Sequence, residues 1–395
     1  MRGKMFTRRR FVATSAAAST TIIAAPFAKT AHAAGKLSIG FWDHFVPDAN
    51  KTSDALIQAW AAKEKVEVQI DRFTANKALL TIAAEAQAKS GHDILYMTSW
   101  LPHAYAKSLE PVDDVMIELI KQNGPVNDIV AYLGRAQSRW LAVPATIGNQ
   151  IQGPCSRIDL MKQYAGIDVQ AMYPAGAPLV DANGKNTVKS DAVRQALDYY
   201  TRLARFFPPD APAWDNTSNN KWLISGRGAL ILNPPSAWAV AKRDAPQVAE
   251  QLWTHGMPSG PKGRFAPCLP FFWGVWNFSK NKEAAKSLLV HLSQPAAIEQ
   301  LVAASGGFDL PPFTKFATLR TWAEEGPPKG TLYHYPNPHN HQILSIAGAP
   351  APPQIAAQIF TQGIMTKMTV RHLRGEAMET TLAWAETEVG GFMRT

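Results

Sequence analysis

The sequence has few of the residues that mark redox, metal-cluster or membrane-spanning proteins. Only two of its 395 residues are cysteines, too few for a four-thiolate zinc site, and Cys155 and Cys268 are too far apart for a Cys-x-x-Cys pair. No stretch after the N-terminus stays apolar for the roughly 20 residues that a membrane-spanning helix needs. Hydrophobic residues make up 46% of the chain and charged residues 18%, which excludes a disordered protein. The length predicts two or three globular domains.

The motifs of common cofactor and hydrolase sites are also missing. No Gly-x-Gly-x-x-Gly opens a helix, and no Gly-x-Ser-x-Gly elbow occurs. Adjacent acids at Asp113-Asp114 and Glu324-Glu325 could serve glycoside hydrolysis, but such pairs are more typical of solvated surface charge. We therefore expect a protein that is not an enzyme and needs no cofactor. An exported enzyme is the weaker alternative.

The positive charge of the chain is concentrated at its N-terminus. Lys and Arg number 40 against 31 Asp and Glu, a formal charge of +9. Six of these cations, and no acid, lie in residues 1–33, so the rest of the chain carries 34 against 31, or +3. A nearly balanced chain gives no basis for a nucleic-acid partner.

Residues 1–33 have the organisation of an export signal. Residues 7–12 read Thr-Arg-Arg-Arg-Phe-Val, a short and mildly apolar stretch follows, and Ala31-His32-Ala33 resembles a cleavage site. The pattern is similar to a twin-arginine signal, although Ala13 stands where that signal often has Lys. We expect the twin-arginine export machinery to be a partner, the signal to be removed near Ala33, and the soluble mature protein to reside in the periplasm.

Periodicity predicts an α/β fold for the part that follows. Strands are expected at residues 37–45, 66–71 and 93–99, and helices at 53–64, capped by Ser53, and 77–89. Strand, helix, strand, helix, strand is the opening of a doubly wound sheet. Residues 326–353 are rich in Pro, Gly, Asn and His, which predicts a loop.

The order of several motifs resembles the extracellular solute-binding proteins of ABC importers, in particular the family of maltose-binding protein and other sugar binders. The matching stretches are IGFWDHF at 39–45, HDILYMTSW at 92–100, LEPVDD at 109–114, AVPATIGNQIQGPCSRIDLMKQYAGID at 142–168, WLISGRGALILNPPSAW at 222–238, MPSGPKG at 257–263 and WGVWNFSKNKEAAKSLLVHLSQPAAIEQL at 273–301. Pro154-Cys155-Ser156-Arg157 departs from the Tyr-Asn-Lys run that the family often has there. The last ninety residues match only as a Pro-rich crossing followed by helices.

The resemblance implies a two-lobe periplasmic binding protein fold of the class II type, with discontinuous lobes joined by three hinge crossings. The N-terminal lobe would comprise residues 34–143 and 275–326, and the C-terminal lobe 144–274 and 327–395. The crossings would lie near residues 142–147, 270–274 and 326–335. In this layout Cys155 and Cys268 flank two crossings and could either form a disulfide or remain two buried thiols.

The implied function is capture of a carbohydrate (a sugar, oligosaccharide or polyol) by hinge closure and its delivery to the membrane permease of an ABC importer, by a monomer. Aromatic faces suit sugar rings, and polar groups beside them suit hydroxyls. The predicted ligand-binding residues follow strands or turns: Trp42, Asp43, His44, Trp100, Asn149, Trp238, Phe272 and Trp273. Other tryptophans have helical spacing and are expected in the core: Trp60, Trp222, Trp253 and Trp384.

A non-sugar solute is the alternative ligand. A sugar phosphate or organic solute could use the cations Lys51, Arg72 and Arg264. A metal could bind His334, His339 and His341 in the predicted loop, but no nearby acid completes the set.

Overall fold

The computed structural model describes residues 35–151, 153–157, 178–215, 217–233, 236–254, 257, 265–324 and 343–394. Several sequence predictions lie outside these residues: the export signal at 1–33, Arg264, the third crossing at 326–335, and His334, His339 and His341. Within the described residues, no helix is long and apolar enough to cross a membrane.

The described strands and helices alternate along much of the chain. The strands are β1 (Lys36–Trp42), β2 (Glu67–Phe73), β3 (Ile94–Thr98), β4 (Arg135–Ala136), β5 (Arg139–Trp140), β6 (Val143–Pro144), β7 (Gln150–Ile151), β8 (Gly153–Arg157), β9 (Leu230–Asn233), β10 (Leu252–Thr254), β11 (Phe265–Leu269), β12 (Phe271–Val275) and β13 (Ile343–Ser345). The helices are α1 (Pro47–Glu64), α2 (Ala75–Ala88), α3 (Leu101–Ala104), α4 (Asp113–Asn123), α5 (Asp128–Gly134), α6 (Asp191–Ala204), α7 (Ser218–Ile224), α8 (Ser236–Asp244), α9 (Pro246–Ala249), α10 (Lys282–Leu292), α11 (Pro295–Ala304), α12 (Arg320–Glu324), α13 (Pro353–Thr361), α14 (Ile364–Leu373) and α15 (Met378–Phe392).

The first sheet has five strands in the order β2-β1-β3-β12-β6. β1 runs parallel to β2 and β3, while β12 is antiparallel to both β3 and β6. β3 and β12 are apolar and almost wholly buried, as central strands covered on both faces are. β2 lies at the edge and alternates in exposure along its first half. The carboxyl ends of β1 and β3 therefore meet the first residue of β12 at one edge of this sheet.

Helix α1 covers this sheet together with α10 and α11, which pack against it. Its apolar stripe of Ile57, Trp60 and Ala61 is buried. The helix begins at Pro47 rather than after Ser53, so the predicted cap was wrong. Proline suits the first turn because its missing N–H would be unpaired there, and the hydroxyl of Ser53 donates instead to the carbonyl of Asn50 one turn earlier.

Two three-stranded sheets form the second half of the fold. One is antiparallel, in the order β10-β8-β9, and the other has the order β13-β11-β7. The chain passes from the first sheet to these sheets through residues 145–149, between β6 and β7, and returns at Pro270, between β11 and β12. The first passage overlaps the predicted crossing at residues 142–147, and Pro270 is the first residue of the crossing predicted at 270–274.

The two cysteines are buried free thiols, so the disulfide that the predicted layout allowed is not formed. Cys155 lies in β8 and pairs with Ile231 and Thr254 in its own sheet. Cys268 lies in β11 and pairs with Ile151 of β7 in the other sheet. Ile151 of β7, four positions before Cys155, therefore lies opposite Cys268.

Candidate functional site

A cluster of aromatic rings lies at the edge of the first sheet where β1 ends. Trp42, the last residue of β1, is buried, and its ring centroid lies 5.0 Å from that of Phe45 and 5.1 Å from that of Phe271. The ring of Phe308 lies 6.3 Å away on the segment after α11. Because β12 is antiparallel to its neighbour β3, its first residue, Phe271, meets the end of β1. These rings form an apolar floor at the carboxyl edge, where open α/β sheets bind ligands.

Tyr96 extends this floor along β3. Its ring stacks on Phe271 with centroids 5.7 Å apart and planes 7° from parallel. The hydroxyl is buried and has no hydrogen-bond partner. Burial raises the pKa of Tyr96 far above its ordinary value, so the group stays a neutral phenol.

His44 and Asp309 form a buried pair directly beside the aromatic floor. The backbone N–H of Val46 donates to His44 Nδ1 over 2.8 Å, so the ring proton of a neutral imidazole lies on Nε2. This Nε2 donates to Asp309 Oδ1 over 3.0 Å, and the N–H of Gly148 donates to the same oxygen over 2.7 Å. Asp309 is 0% exposed, and its Oδ2 has no partner. One carboxylate thus joins the end of β1 to the first crossing.

Asn149, the residue after Gly148, also fixes the first crossing. The side-chain amide of Asn149 donates to the carbonyl of Leu310, and the N–H of Leu310 donates to the carbonyl of Asn149 over 2.9 Å. Gly148 has φ +84°, and a Cβ there would lie 2.5 Å from Cδ1 of Phe271. Glycine is therefore required on two counts, conformation and space.

Asp43 is the predicted polar residue whose side chain stays open to solvent. It follows β1, and its Oδ1 accepts a hydrogen bond of 2.9 Å from Asn50 Nδ2. Arg72 of β2 fixes the backbone just before Asp43. Its Nη1 donates to the carbonyl of Trp42 over 3.1 Å, and its Nη2 donates to Ser53 Oγ over 2.6 Å. A fixed, exposed carboxylate beside aromatic rings can accept hydrogen bonds from ligand hydroxyls.

Trp100 links the first sheet to the last third of the chain. It is 0% exposed, and its indole N–H donates to the carbonyl of Ala347, which follows β13. Its ring meets Tyr132 edge-on, with centroids 5.5 Å apart. In this structure Trp100 is a buried bridge between distant segments.

The other predicted aromatic residues lie in the interior of the two halves. Trp238 belongs to the core cluster around Cys155, Leu223 and Ile231, with Lys242 Nζ 4.5 Å from its ring centroid. Phe272 and Trp273 are buried on β12, where Trp273 stacks on Phe41 with centroids 5.7 Å apart. Ligand contact by these rings stays a prediction.

A buried polar cluster that the sequence prediction missed lies at the start of α8. Asn233 Nδ2 donates to Asn220 Oδ1 over 2.6 Å, and Asn220 Nδ2 donates to Ser236 Oγ over 2.9 Å. Asn233 is the last residue of β9, so the cluster lies at a strand end, close in sequence to Trp238. The run NPPSAW carries the only sequence signal, a turn entering a helix.

The segment after α11 approaches helix α8. A Cβ on Gly306 would lie 3.6 Å from Cβ of Ala239 in α8. Further along α8, the pKa of Arg243 is raised chiefly by its hydrogen bond to Asp244, and Asp48 in the first turn of α1 adds to the effect. Residues from the two halves of the fold therefore face each other across the carboxyl edge of the first sheet.

Two of the three cations that would serve an anionic ligand are engaged elsewhere. Lys51 pairs with Asp48 on the surface over 2.9 Å, and Arg72 is committed to Trp42, Ser53 and Asp54. Within the described part of the chain, no group of three or more His, Cys, Asp or Glu residues is placed to hold a metal ion.

A family model of bacterial extracellular solute-binding proteins matches residues 163–299. This match confirms the resemblance that the motif order predicted. None of the curated proteins compared matches the chain by sequence.

Solved structures match the fold over nearly its whole length. A maltose-bound MalE3 of T. maritima is 15% identical, with a TM-score of 0.71, 91% of this chain and 100% of that chain covered. A solute-binding protein of Thermotoga lettingae bound to α-D-tagatose is 17% identical, with a TM-score of 0.74 and the same coverage. A sugar transporter protein of Arthrobacter chlorophenolicus with bound laminaribiose is 13% identical, with a TM-score of 0.72, 91% of this chain and 99% of that chain covered. These likenesses confirm the two-lobe α/β fold.

Proposed function

We propose, from the family match to bacterial extracellular solute-binding proteins and the shared two-lobe fold, that this protein is the substrate-binding component of an ABC importer and captures a carbohydrate. The observation that carries the proposal is the fold match to proteins bound to maltose, tagatose and laminaribiose, each over 91% of this chain. Family membership of this kind describes a binding protein, and we propose that the chain has no catalytic activity.

The chemistry of the described cleft residues supports a neutral, hydroxyl-rich ligand. Asp43 offers an exposed carboxylate at the end of β1, and the buried polar cluster of Asn220, Asn233 and Ser236 lies at a strand end in the other half of the fold. Hydroxyl-binding sites gain selectivity because their polar groups lose partners when the ligand lacks a hydroxyl. Because Lys51 and Arg72 are already paired, a sugar phosphate is the poorer fit.

The predicted ligand residues then divide into two roles. We propose that Asp43 contacts the ligand directly. We propose that His44 and Asn149 act mainly by fixing the first crossing, since their donors are engaged with Asp309 and Leu310. We propose that Trp42 supplies apolar wall beside Asp43, and that Trp100, Phe272 and Trp273, which are almost wholly buried, support the first half of the fold. Trp238 would play the same supporting part in the core of the other half.

Capture would proceed by rotation of one lobe against the other. We place the N-terminal lobe at residues 34–143 and 275–326 and the C-terminal lobe at 144–274 and 327–395. The β12 residues before Val275 are an exception, because they pair with β3 in the first sheet. Residues 145–149 and Pro270 would be two of three hinges. Closure is favoured only by the ligand's additional affinity for the closed arrangement.

The extracellular family fits the export signal that the sequence predicts. We propose export by the twin-arginine machinery, cleavage near Ala33, residence in the periplasm as a monomer, and delivery of the ligand to the membrane permease. No nucleic acid or cofactor enters this scheme.

A thermal-shift screen followed by calorimetry tests the proposal. Maltose, galactose, tagatose, laminaribiose and mannitol form one arm, and glucose 6-phosphate, citrate and zinc the other. A ligand at one hundred times its dissociation constant stabilises the protein by about 2.7 kcal/mol, a readily visible shift.

We expect a response to at least one carbohydrate, with no turnover of it. Asp43→Asn should weaken that affinity about tenfold without changing the unfolding midpoint, because the Asp43 side chain is exposed. Asp191→Asn, an exposed acid in the first turn of α6, is the matched control and should bind normally. If no carbohydrate raised the unfolding temperature while citrate or zinc did, the proposal would be contradicted.

A further inference from the structure

Three exposed aromatic rings lie where α6 ends. Phe206 is 82% exposed, and Phe207 and Tyr200 are each 43% exposed. Other exposed apolar side chains of the described residues, such as Leu80 on α2 and Ile117 on α4, do not form such an aromatic group. Single exposed apolar residues are ordinary, but adjacent aromatic rings presented to water indicate a surface that contacts something.

The backbone holds these rings in a defined turn. The N–H of Phe206 donates to the carbonyl of Leu203 over 3.0 Å, and the N–H of Phe207 donates to that of Ala204 over 3.1 Å. Pro208 and Pro209 follow, and both restrict the backbone. A surface that is already ordered loses little conformational entropy when it binds.

Two exposed arginines, Arg202 and Arg205, lie close to the rings in the sequence. In the described residues, the ion pairs of α6 are those of Arg194 with Asp191 and Glu379 at the other end of the helix, and none involves Arg202 or Arg205. The acids Asp198 and Asp210 are also exposed nearby, so the local net charge is near zero. Binding here would depend on the rings, with the guanidinium groups selecting phosphate.

This surface has no described contact with the residues of the candidate functional site. The buried residues of α6, Val193 and Leu197, point inward, and α14 packs beside the helix. Neither Asp43 nor the polar cluster at α8 shares a described contact with the turn. Its occupant is therefore a separate question from the carbohydrate.

We propose that this aromatic turn, defined as Tyr200, Arg202, Arg205, Phe206 and Phe207, binds the headgroup region of a phospholipid membrane. Phenyl rings bury well at the boundary between headgroups and acyl chains, and guanidinium groups bind phosphate there. Phe206 and Phe207 enter the boundary, Tyr200 remains at headgroup level, and the two arginines contact lipid phosphates. The protein is then held weakly and reversibly at a membrane surface, whichever solute it carries.

Vesicle sedimentation tests this directly. The exported form of the protein, with its N-terminus checked by mass, is mixed with vesicles of phosphatidylcholine and phosphatidylglycerol at about 3:1 and with phosphatidylcholine alone. The double variant Phe206→Ser/Phe207→Ser should lower the partition coefficient at least about tenfold, because each buried ring contributes substantially to transfer. Arg202→Gln/Arg205→Gln should lower it a few-fold, more on the anionic vesicles.

The matched control is Leu80→Ser/Ile117→Ser, which removes two comparably exposed apolar side chains elsewhere and should leave partitioning unchanged. Circular dichroism and unfolding midpoints confirm that every variant is folded. Absence of vesicle binding by the unaltered protein, or equal binding by the Phe206/Phe207 variant, overturns the proposal. A dimer in light scattering that the same variant dissolves would also overturn it, by showing that a second copy occupies the turn.

Discussion

The imidazole of His44 and the carboxylate of Asp309 are hydrogen-bonded over 3.0 Å although 265 positions separate them. Both side chains are wholly buried. The same carboxylate oxygen accepts the N–H of Gly148, so three distant segments meet at one atom. The end of β1, the first crossing and the segment after α11 are thereby fixed at the base of the candidate cleft.

Removing the Asp309 carboxylate should destabilise the fold considerably. Asp309→Ala leaves His44 Nε2 and the N–H of Gly148 buried without acceptors, and we expect a loss of about 3 kcal/mol in the free energy of unfolding. Asp309→Asn keeps one oxygen as acceptor and should lose less, about 1 kcal/mol. Urea unfolding measures both.

Asp48→Ala is the control for this prediction, because the Asp48 side chain is 70% exposed and its ion pair is with exposed Lys51. A change within about 0.5 kcal/mol is expected there. If Asp309→Ala behaved like Asp48→Ala, the buried pair would contribute nothing to the fold.

Gly148→Ala separates steric crowding from backbone strain. Any residue other than glycine at φ +84° costs about 1–2 kcal/mol, and the added Cβ would also collide with Phe271. Gly375 provides a matched comparison, since it has φ +95° and an added Cβ there would meet nothing within 4 Å. We expect a loss of about 3 kcal/mol for Gly148→Ala and about half of that for Gly375→Ala, by urea unfolding. Equal losses would show that Phe271 yields to the methyl group.

His92 forms a second, partly buried network on the opposite edge of the first sheet. Its Nδ1 lies 2.5 Å from Glu85 Oε1 and its Nε2 lies 3.0 Å from Asp71 Oδ2. Trp276 Nε1 donates to the other oxygen of Glu85 over 2.9 Å. Both ring nitrogens face carboxylates, which only accept when ionised, so the imidazolium form of His92 satisfies both.

This network predicts that stability falls with rising pH. Burial lowers the pKa of His92, but the hydrogen bonds to Glu85 and Asp71 outweigh it and leave the pKa above its ordinary value. The contribution of His92 is therefore complete below about pH 6.5 and is lost as the pH rises through the higher folded-state pKa. Unfolding free energies of the unaltered protein and His92→Gln, measured from about pH 5.5 to about pH 9, should converge as the pH rises.

The companion variant Asp71→Asn removes one of the two carboxylates that hold the imidazolium. The difference in unfolding free energy between Asp71→Asn and His92→Gln should change less with pH than the difference between the unaltered protein and His92→Gln. A difference between the unaltered protein and His92→Gln that stays constant, or grows with pH, would contradict the ionised network.

The two thiols should resist modification until the protein unfolds. Burial raises the pKa of both Cys155 and Cys268 to about 12, and the neighbouring side chain of Thr254 opposes the shift at Cys155. At about pH 8 only about one thiol in ten thousand is then ionised, and thiolate is the reactive form. We expect no alkylation of the native protein and two alkylated cysteines after unfolding without reductant, read by mass. No alkylation of the unfolded protein until reductant is added would reveal a disulfide.

Local patterns predicted much of the first sheet and its helices. The alternation in β2 and the apolar runs of β1 and β3 carry their burial in the sequence itself. The start of α1 was mistaken because Ser53 resembles a cap, while Pro47 had already opened the helix. A capping residue is recognised only when the preceding turn is known to be non-helical.

The candidate site was predicted less completely than the fold. Asp43 is exposed at the end of β1, as a residue that follows a strand would be. For the tryptophans, the sequence carries no signal that separates a ring lining the site from a ring buried in the core. Asp309 was not singled out at all, because a lone acid between Phe308 and Leu310 looks like any loop residue. Its importance comes from partners at positions 44 and 148.

By itself the sequence determined the alternation of strands and helices and the family it resembles, because these are encoded in local periodicity and motif order. Only the tertiary structure decided that Trp100 bonds to Ala347, that the cysteines remain apart and that one buried carboxylate fastens the first crossing. These are contacts between residues far apart in the chain, and their energies depend on burial and direction, which appear only once the sheets have packed.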